Sequence, residues 1–187
     1  MIGRSDGSII IADALAAVES ALFKSSPNPD ESDPELDVFI SSDGHFDAIT
    51  SIFYPASVSS ERYDNDVVWV GSRDFSVSVW SLSLKCRLAG FHNHIAPIAR
   101  LEICPTSSGR AAGSIVSIDV DGGVCMLSLR EQLCLLADTG FGNAIRSIDW
   151  TLDGFLMIQR ENGILKVNVK HFVELDIFDQ FSDSFIY

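Results

Sequence analysis

Two stretches, DGHFDAITSIFYP at residues 43–55 and VVWVGSRDFSVSVWSL at residues 67–82, decide how this chain is read. They carry His45, Ser72, Asp74 and Trp80 in that order. The second stretch is two runs of β-branched and aromatic residues around a short polar break, which is the signature of a hairpin. His, Ser and Asp are also the residue types of a hydrolase triad. A nucleophilic serine of that kind sits on a strained Gly-x-Ser-x-Gly elbow beside an oxyanion hole. Ser72 follows Gly71 but precedes Arg73-Asp74-Phe75, so no elbow is present. A partly buried aspartate needs hydrogen-bond donors, because an unpaired buried charge is costly. The four residues therefore read as a structural tetrad, a polar chain that ties strands together, rather than as a catalytic set.

The chain has 187 residues and is 47% hydrophobic, enough for a real core. Its 13 Lys and Arg against 26 Asp and Glu give a net charge of −13. That field repels phosphate backbones and anionic membrane surfaces, and no run of Lys and Arg offsets it. Cys86, Cys104, Cys125 and Cys134 form no Cys-x-x-Cys pair. With metal and redox spacings absent, they read as reduced thiols of a cytosolic protein. Residues 1–12 carry Arg4 and Asp6 and lack a secretory pattern, and no apolar run reaches membrane-spanning length.

Working outward, Ile49-Thr-Ser-Ile52, Ile98-Ala-Arg-Leu101 and Ile145-Arg-Ser-Ile148 open three similar segments at intervals of 49 and 47 residues. Each is followed by an apolar run, a turn and a second apolar run: Val67–Val70 and Val77–Trp80, Ile115–Ile118 and Val124–Leu129, Phe155–Ile158 and Ile164–Val169. Asp-Gly and Asn-Gly turns between β-rich runs are hairpin signals, since glycine accepts positive φ without a Cβ clash. The turns fall at Asp74, Asp121 and Asn162, and an earlier one at Asp6 precedes a strand at Ile9–Ile11. The chain thus opens part-way through a further unit.

Between the first two turns lies KSSPNPDESDPELDVFISS, residues 24–42, whose prolines and acidic residues predict a disordered, solvated insertion. Before it, Ile11–Phe23 fits a helix as well as a strand. The tail HFVELDIFDQFSDSFIY spaces Phe178, Phe181 and Phe185 for one helical face, while Phe172–Ile177 could equally supply a last strand.

The repeat length and the order of His, Ser, Asp and Trp resemble a WD repeat, whose period is ~40–45 residues. The resemblance implies that His45 lies in the loop before a first strand, Ser72 on the second, Asp74 in the following turn and Trp80 on the third. The expected fold is all-β, a partial WD-repeat β-propeller of about three blades plus a piece of a fourth, not closed. The divisions are the end of a preceding blade at 1–23, the insertion at 24–42, repeats at 43–91, 92–140 and 141–172, and an acidic aromatic tail at 173–187. Departures are visible: Ser81 follows Trp80 where the repeat has Asp, and Leu127 and Asn168 stand at the Trp position of the later repeats. The short chain is expected to be a fragment or one arc completed by another chain.

Three stretches, GRSDGSIII at 3–11, YPASVSSERYDNDVVWVGSRDFSVSVWSL at 54–82 and CMLSLRE at 125–131, resemble the N-terminal propeller of the rabconnectin beta-subunit family over about residues 3–163. The tail does not match that pattern. The resemblance implies a non-enzymatic scaffold without cofactor. Its partners would be a rabconnectin alpha subunit and vacuolar-type proton ATPase components, and it would act in organelle or vesicle acidification. It also implies a cytoplasmic location, peripheral on vesicle or endosomal membranes through those partners. The alternative is a WD-repeat adaptor of another pathway, in trafficking or ubiquitin-ligase substrate recognition.

Other residues carry weaker signals. His92 and His94 lack the carboxylate or Cys neighbours of a metal site, and either could play the part of His45 in the second repeat. Asp119 and Asp121 are too few oxygens for a calcium loop. Trp69, Trp80 and Trp150 lie in apolar runs and are expected in the core.

Overall fold

A computed structural model describes residues 1–12, 38–41, 44–55, 66–104, 113–138, 145–151, 155–161 and 163–168. Among them are fourteen strands and no helix, in four antiparallel sheets. The first sheet holds β1 (Ile2–Gly3), β2 (Ile9–Ala12) and β3 (Val38–Ser41). The second holds β4 (Ile49–Phe53), β5 (Val67–Ser72), β6 (Val77–Ser81) and β7 (Cys86–Phe91). The third holds β8 (Ile98–Ile103), β9 (Ile115–Asp119), β10 (Val124–Ser128) and β11 (Leu133–Asp138), and the fourth β12 (Ile145–Trp150), β13 (Phe155–Arg160) and β14 (Gly163–Asn168). Every sheet is a meander in which neighbours in sequence are neighbours in space.

The strands alternate side chains between two faces, and the inner sheets bury both. Three apolar layers result. Ile9 and Ile11 of the first sheet meet Val68, Val70 and Trp80 of the second. The opposite face of the second sheet, with Val67, Trp69, Val77, Val79 and Phe91, meets Ile98, Leu101, Ile115, Cys125 and Leu127 of the third. The third then packs Val116, Ile118, Val124 and Met126 on Leu156 and Ile158 of the fourth. Trp69 stacks on Phe91 with ring centroids 5.7 Å apart. Trp150 is half-buried against the third layer.

The repeats are alike in detail. The register of the first strand against the second slips at Ile49/Ser51, Ile98/Arg100 and Ile145/Ser147, the same place in each sheet. The third and fourth strands slip at Val79/Trp80 and Met126/Leu127. Lys85 and Gln132 both take positive φ, 51° and 52°, in the turns that follow the third strands. Gly71 at the end of β5 lies directly under Ile98, the residue that opens β8. Gly3 meets Ile49 in the same way, so a glycine of one sheet receives the isoleucine of the next.

The first sheet corrects two expectations. β1 was not foreseen. The stretch 24–42 was read as wholly an insertion, yet Val38–Ser41 pairs with β2 as β3. Phe39 packs toward the first apolar layer while Val38 and Ile40 face out, so four alternating residues suffice for a strand once β2 provides an edge. Residues 24–37, most of the ambiguous 11–23, Asn162 and the tail 173–187 lie outside the described residues.

Candidate functional site

The polar chain of the second sheet runs through the loop before β4, the β5–β6 turn and β6. Asp74 accepts from the Ser76 amide (3.0 Å) and hydroxyl (2.6 Å), closing the turn. Asp6 and Ser8 repeat that geometry at 3.0 and 2.6 Å in the first sheet. His45, fully covered at its side chain, places Nδ1 3.0 Å from Asp74 Oδ2 and Nε2 2.6 Å from Ser78 Oγ. Trp80 Nε1 donates to the same Ser78 oxygen at 2.8 Å. One proton arrangement satisfies every group. Nδ1–H donates to Asp74, Nε2 accepts from Ser78, and Ser78 accepts from the indole.

Ser72 lies off this path, which corrects the expected tetrad. Its hydroxyl is 2.9 and 3.1 Å from the carbonyls of Asp47 and Ala48 and accepts from the Asp74 amide at 3.1 Å. It fastens the loop to the end of β5, and Ser78 supplies the hydroxyl between histidine and tryptophan. The reason is pairing: Ser78 sits opposite Val70, so a serine on the third strand reaches the spot that Val70 leaves apolar.

In the third sheet a second chain uses His94. Its Nδ1 lies 2.9 Å from Asp119 Oδ2 and its Nε2 2.7 Å from Ser117 Oγ. Ser117 is the cross-strand partner of Cys125, as Val70 is of Ser78. The hydroxyl has moved to the other member of the same pair. The carboxylate has moved too. Asp119, the last residue of β9, accepts from the amides of Asp121 and Gly123 at 3.1 and 2.6 Å. Asp121 occupies the turn, but its neighbour carries the contact to histidine. Leu127 stands where Trp80 stands and is fully buried, so beyond Ser117 the path meets no side chain, only the Cys125 carbonyl 3.3 Å from its hydroxyl. A signal for His94 was present: it precedes Ile98 by four residues, as His45 precedes Ile49.

The fourth sheet solves the same position differently. Arg160, which like Ser72 and Asp119 ends its strand opposite the leading isoleucine, reaches back to the third sheet. Its guanidinium pairs with Asp138 at 2.9 Å and donates to the Gly122 carbonyl at 2.9 Å. The missing Asp after Trp80 is also replaced. Asp66 accepts from the hydroxyls of Ser81 and Ser83 and from the Ser83 amide. Ser81 Oγ in turn accepts from the Leu84 amide at 3.0 Å.

Burial pushes His45 and His94 below the ordinary imidazole value, against the pull of Asp74 and Asp119. Burial opposes ionisation of Asp74, but hydrogen bonds from Ser76 and the Phe46 amide outweigh it and hold the carboxyl low. Asp66 is held low the same way by Ser81 and Ser83. Both imidazoles are therefore neutral links, and Asp74 and Asp66 are ionised acceptors. Among the described residues no group of three or more His, Cys, Asp or Glu is placed to hold a metal ion. No helix among them is long and apolar enough to cross a membrane.

Beside each histidine the chain exposes an apolar side chain. Phe46 is 98% exposed, and its amide donates to Asp74 at 2.9 Å. Phe75 in the adjacent turn is 43% exposed and takes a φ of 70°. Ile95 follows His94, and Val120 lies in the β9–β10 turn, both exposed. All four lie at the end of the sheets where the polar chains sit.

The arrangement is similar to that of solved structures, a propeller among them. The WD40 beta propeller domain of Doa1 superposes with a TM-score of 0.50 at 15% identity, over 73% of this chain and 41% of that one. A chain of the mitotic checkpoint complex does so at 0.56 and 13%, over 89% and 45%. The four sheets have the fold of WD40 propeller blades. No family model matches. WD repeat-containing protein 72 is 28% identical over 158 residues in Pongo abelii and in Homo sapiens, and 27% in Mus musculus. The chain aligns over 83% of its own length with each of these and spans 14% of theirs.

Proposed function

We propose that the chain is a protein-interaction scaffold whose partner-binding surface is the turn end of the second and third blades. The observation that carries this is Phe75. It holds a left-handed backbone where the third blade has Gly122 at φ 81°. A side chain there costs about 1–2 kcal/mol relative to glycine. An exposed aromatic kept at such a position, beside the almost fully exposed Phe46, is placed for contact rather than for folding.

The finer reading is a regulator of vacuolar-type proton ATPase assembly that binds a rabconnectin alpha subunit. It is supported by the stretches at 3–11, 54–82 and 125–131 and by the WD-repeat blades. The test is affinity purification of the tagged chain, alongside Phe46→Asp and Phe75→Gly. Recovery of an alpha subunit and pump components, lost in both variants while Phe75→Gly melts no lower than the parent, is the expected result. Recovery of an unrelated partner set, dependent on the same phenylalanines, would replace the proton-pump reading with the adaptor one. Partner recovery that neither variant affects would remove the assigned surface.

A further inference from the structure

Cys125 and Cys134 have no part in the polar chains. Cys125 occupies on β10 the place that Ser78 holds on β6, across from Ser117. Cys134 lies on β11 opposite Leu127, the residue two along from Cys125. Strand alternation puts Cys125 and Leu127 on one face, and the register puts Cys134 beside them. The ladder slips between Met126 and Leu127, and the two cysteines lie diagonal to each other across it. Both belong to the apolar layer between the second and third blades. Cys125 is buried and Cys134 is only partly buried.

We propose that Cys134 and Cys125 form a peroxide-responsive thiol pair, Cys134 reacting first and Cys125 resolving it into a disulfide within the third blade. The reactant is hydrogen peroxide. The Cys134 thiolate attacks one peroxide oxygen and the O–O bond breaks. Cys134 becomes a sulfenic acid, and the departing hydroxide takes up a proton as water. Cys125 then attacks the Cys134 sulfur as thiolate, the S–O bond breaks, and its proton leaves with the hydroxyl as a second water. Two thiols are oxidised and one peroxide is reduced to two waters.

The order of events follows from the environment. The neighbouring Cys125 thiol holds the Cys134 thiol below the usual thiol value, against burial, while Cys134 Sγ donates to the Leu136 carbonyl at 2.9 Å. The same neighbour relation, with burial, pushes Cys125 up. Cys134 is thus the better nucleophile and the more reachable sulfur. Cys125 is protected from solvent yet adjacent. The new bond would cross the ladder at its slip, where the backbone is already irregular.

The whole chain supplies the test. After brief exposure to hydrogen peroxide and quenching with an alkylating agent, trypsin separates the two cysteines at Arg130. The expected product is peptide 111–130 joined to peptide 131–146, released by dithiothreitol and absent when the same treatment is given in strong urea. In Cys125→Ser, Cys134 should instead accumulate as a sulfenic acid that dimedone labels. Serine is already the residue at the corresponding place of the second blade. Cys134 remaining fully alkylatable after peroxide, or pairing equally with Cys86 or Cys104, would overturn the proposal.

Discussion

At the scale of single residues, two blades reach the same polar connection with different atoms. Ser78 and Ser117 lie on opposite strands of their pairs, and Asp74 and Asp119 lie two positions apart in the repeat. Trp80→Ala should lower stability by ~3–5 kcal/mol, because a fully buried indole leaves a cavity. Ser78→Ala should remove about 1–3 kcal/mol, since it orphans both His45 Nε2 and the indole N–H. Denaturant titration of the two variants checks both values. A pH dependence follows from the buried imidazoles. Their folded pKa lies below the unfolded value, so the unfolded chain binds the proton more readily. Stability is then full above about 6.5 and falls as pH drops below it. Asp74 and Asp66, also depressed, add a second loss as pH falls below about 3.9 and onward through their folded values. Melting temperature against pH should show both declines, and His45→Asn should shrink the first.

At this scale the sequence was partly legible. His45, Asp74 and Trp80 fell on one path because the order of residue types and the turn between two strands constrain them. Ser72 was taken for Ser78 because both are serines near the same turn, and only the β5–β6 register decides which hydroxyl faces the histidine. Arg160 gave no sign of its role, since its partners Asp138 and Gly122 belong to the preceding blade and a repeat pattern does not report contacts between repeats.

At the scale of elements, the joint between blades is the sensitive point. A Cβ on Gly71 would lie 2.5 Å from Ile98 Cγ2, a branched side chain fixed in a buried strand. Gly71→Ala should therefore destabilise by about 1–3 kcal/mol. Ile98→Ala in the same chain should recover part of that loss. A double-mutant cycle by thermal unfolding measures the coupling. The strand pattern was readable because each run alternates or is apolar throughout. β3 was missed because it has four residues beside an acidic, proline-rich run, too short to outweigh its surroundings in composition.

At the scale of the whole molecule, charge and connectivity set the behaviour. A net charge of −13 on a chain this size is self-repelling, so added salt should raise the melting temperature by screening. A flat response between dilute buffer and 0.5 M sodium chloride would contradict this. The arc is open among the described residues, with the blades held by three apolar layers and by the Arg160 contact. That much followed from repeat counting. The first blade's two further strands, β1 and β3, did not.

Because every ladder joins strands that follow one another along the chain, each sheet can zip up without waiting for distant segments. A ribosome releasing this polypeptide would let the second blade assemble, then offer its finished flank as a template for the third. Translation order and assembly order coincide, and the isoleucines that open the second and third blades arrive to find Gly3 and Gly71 already in place.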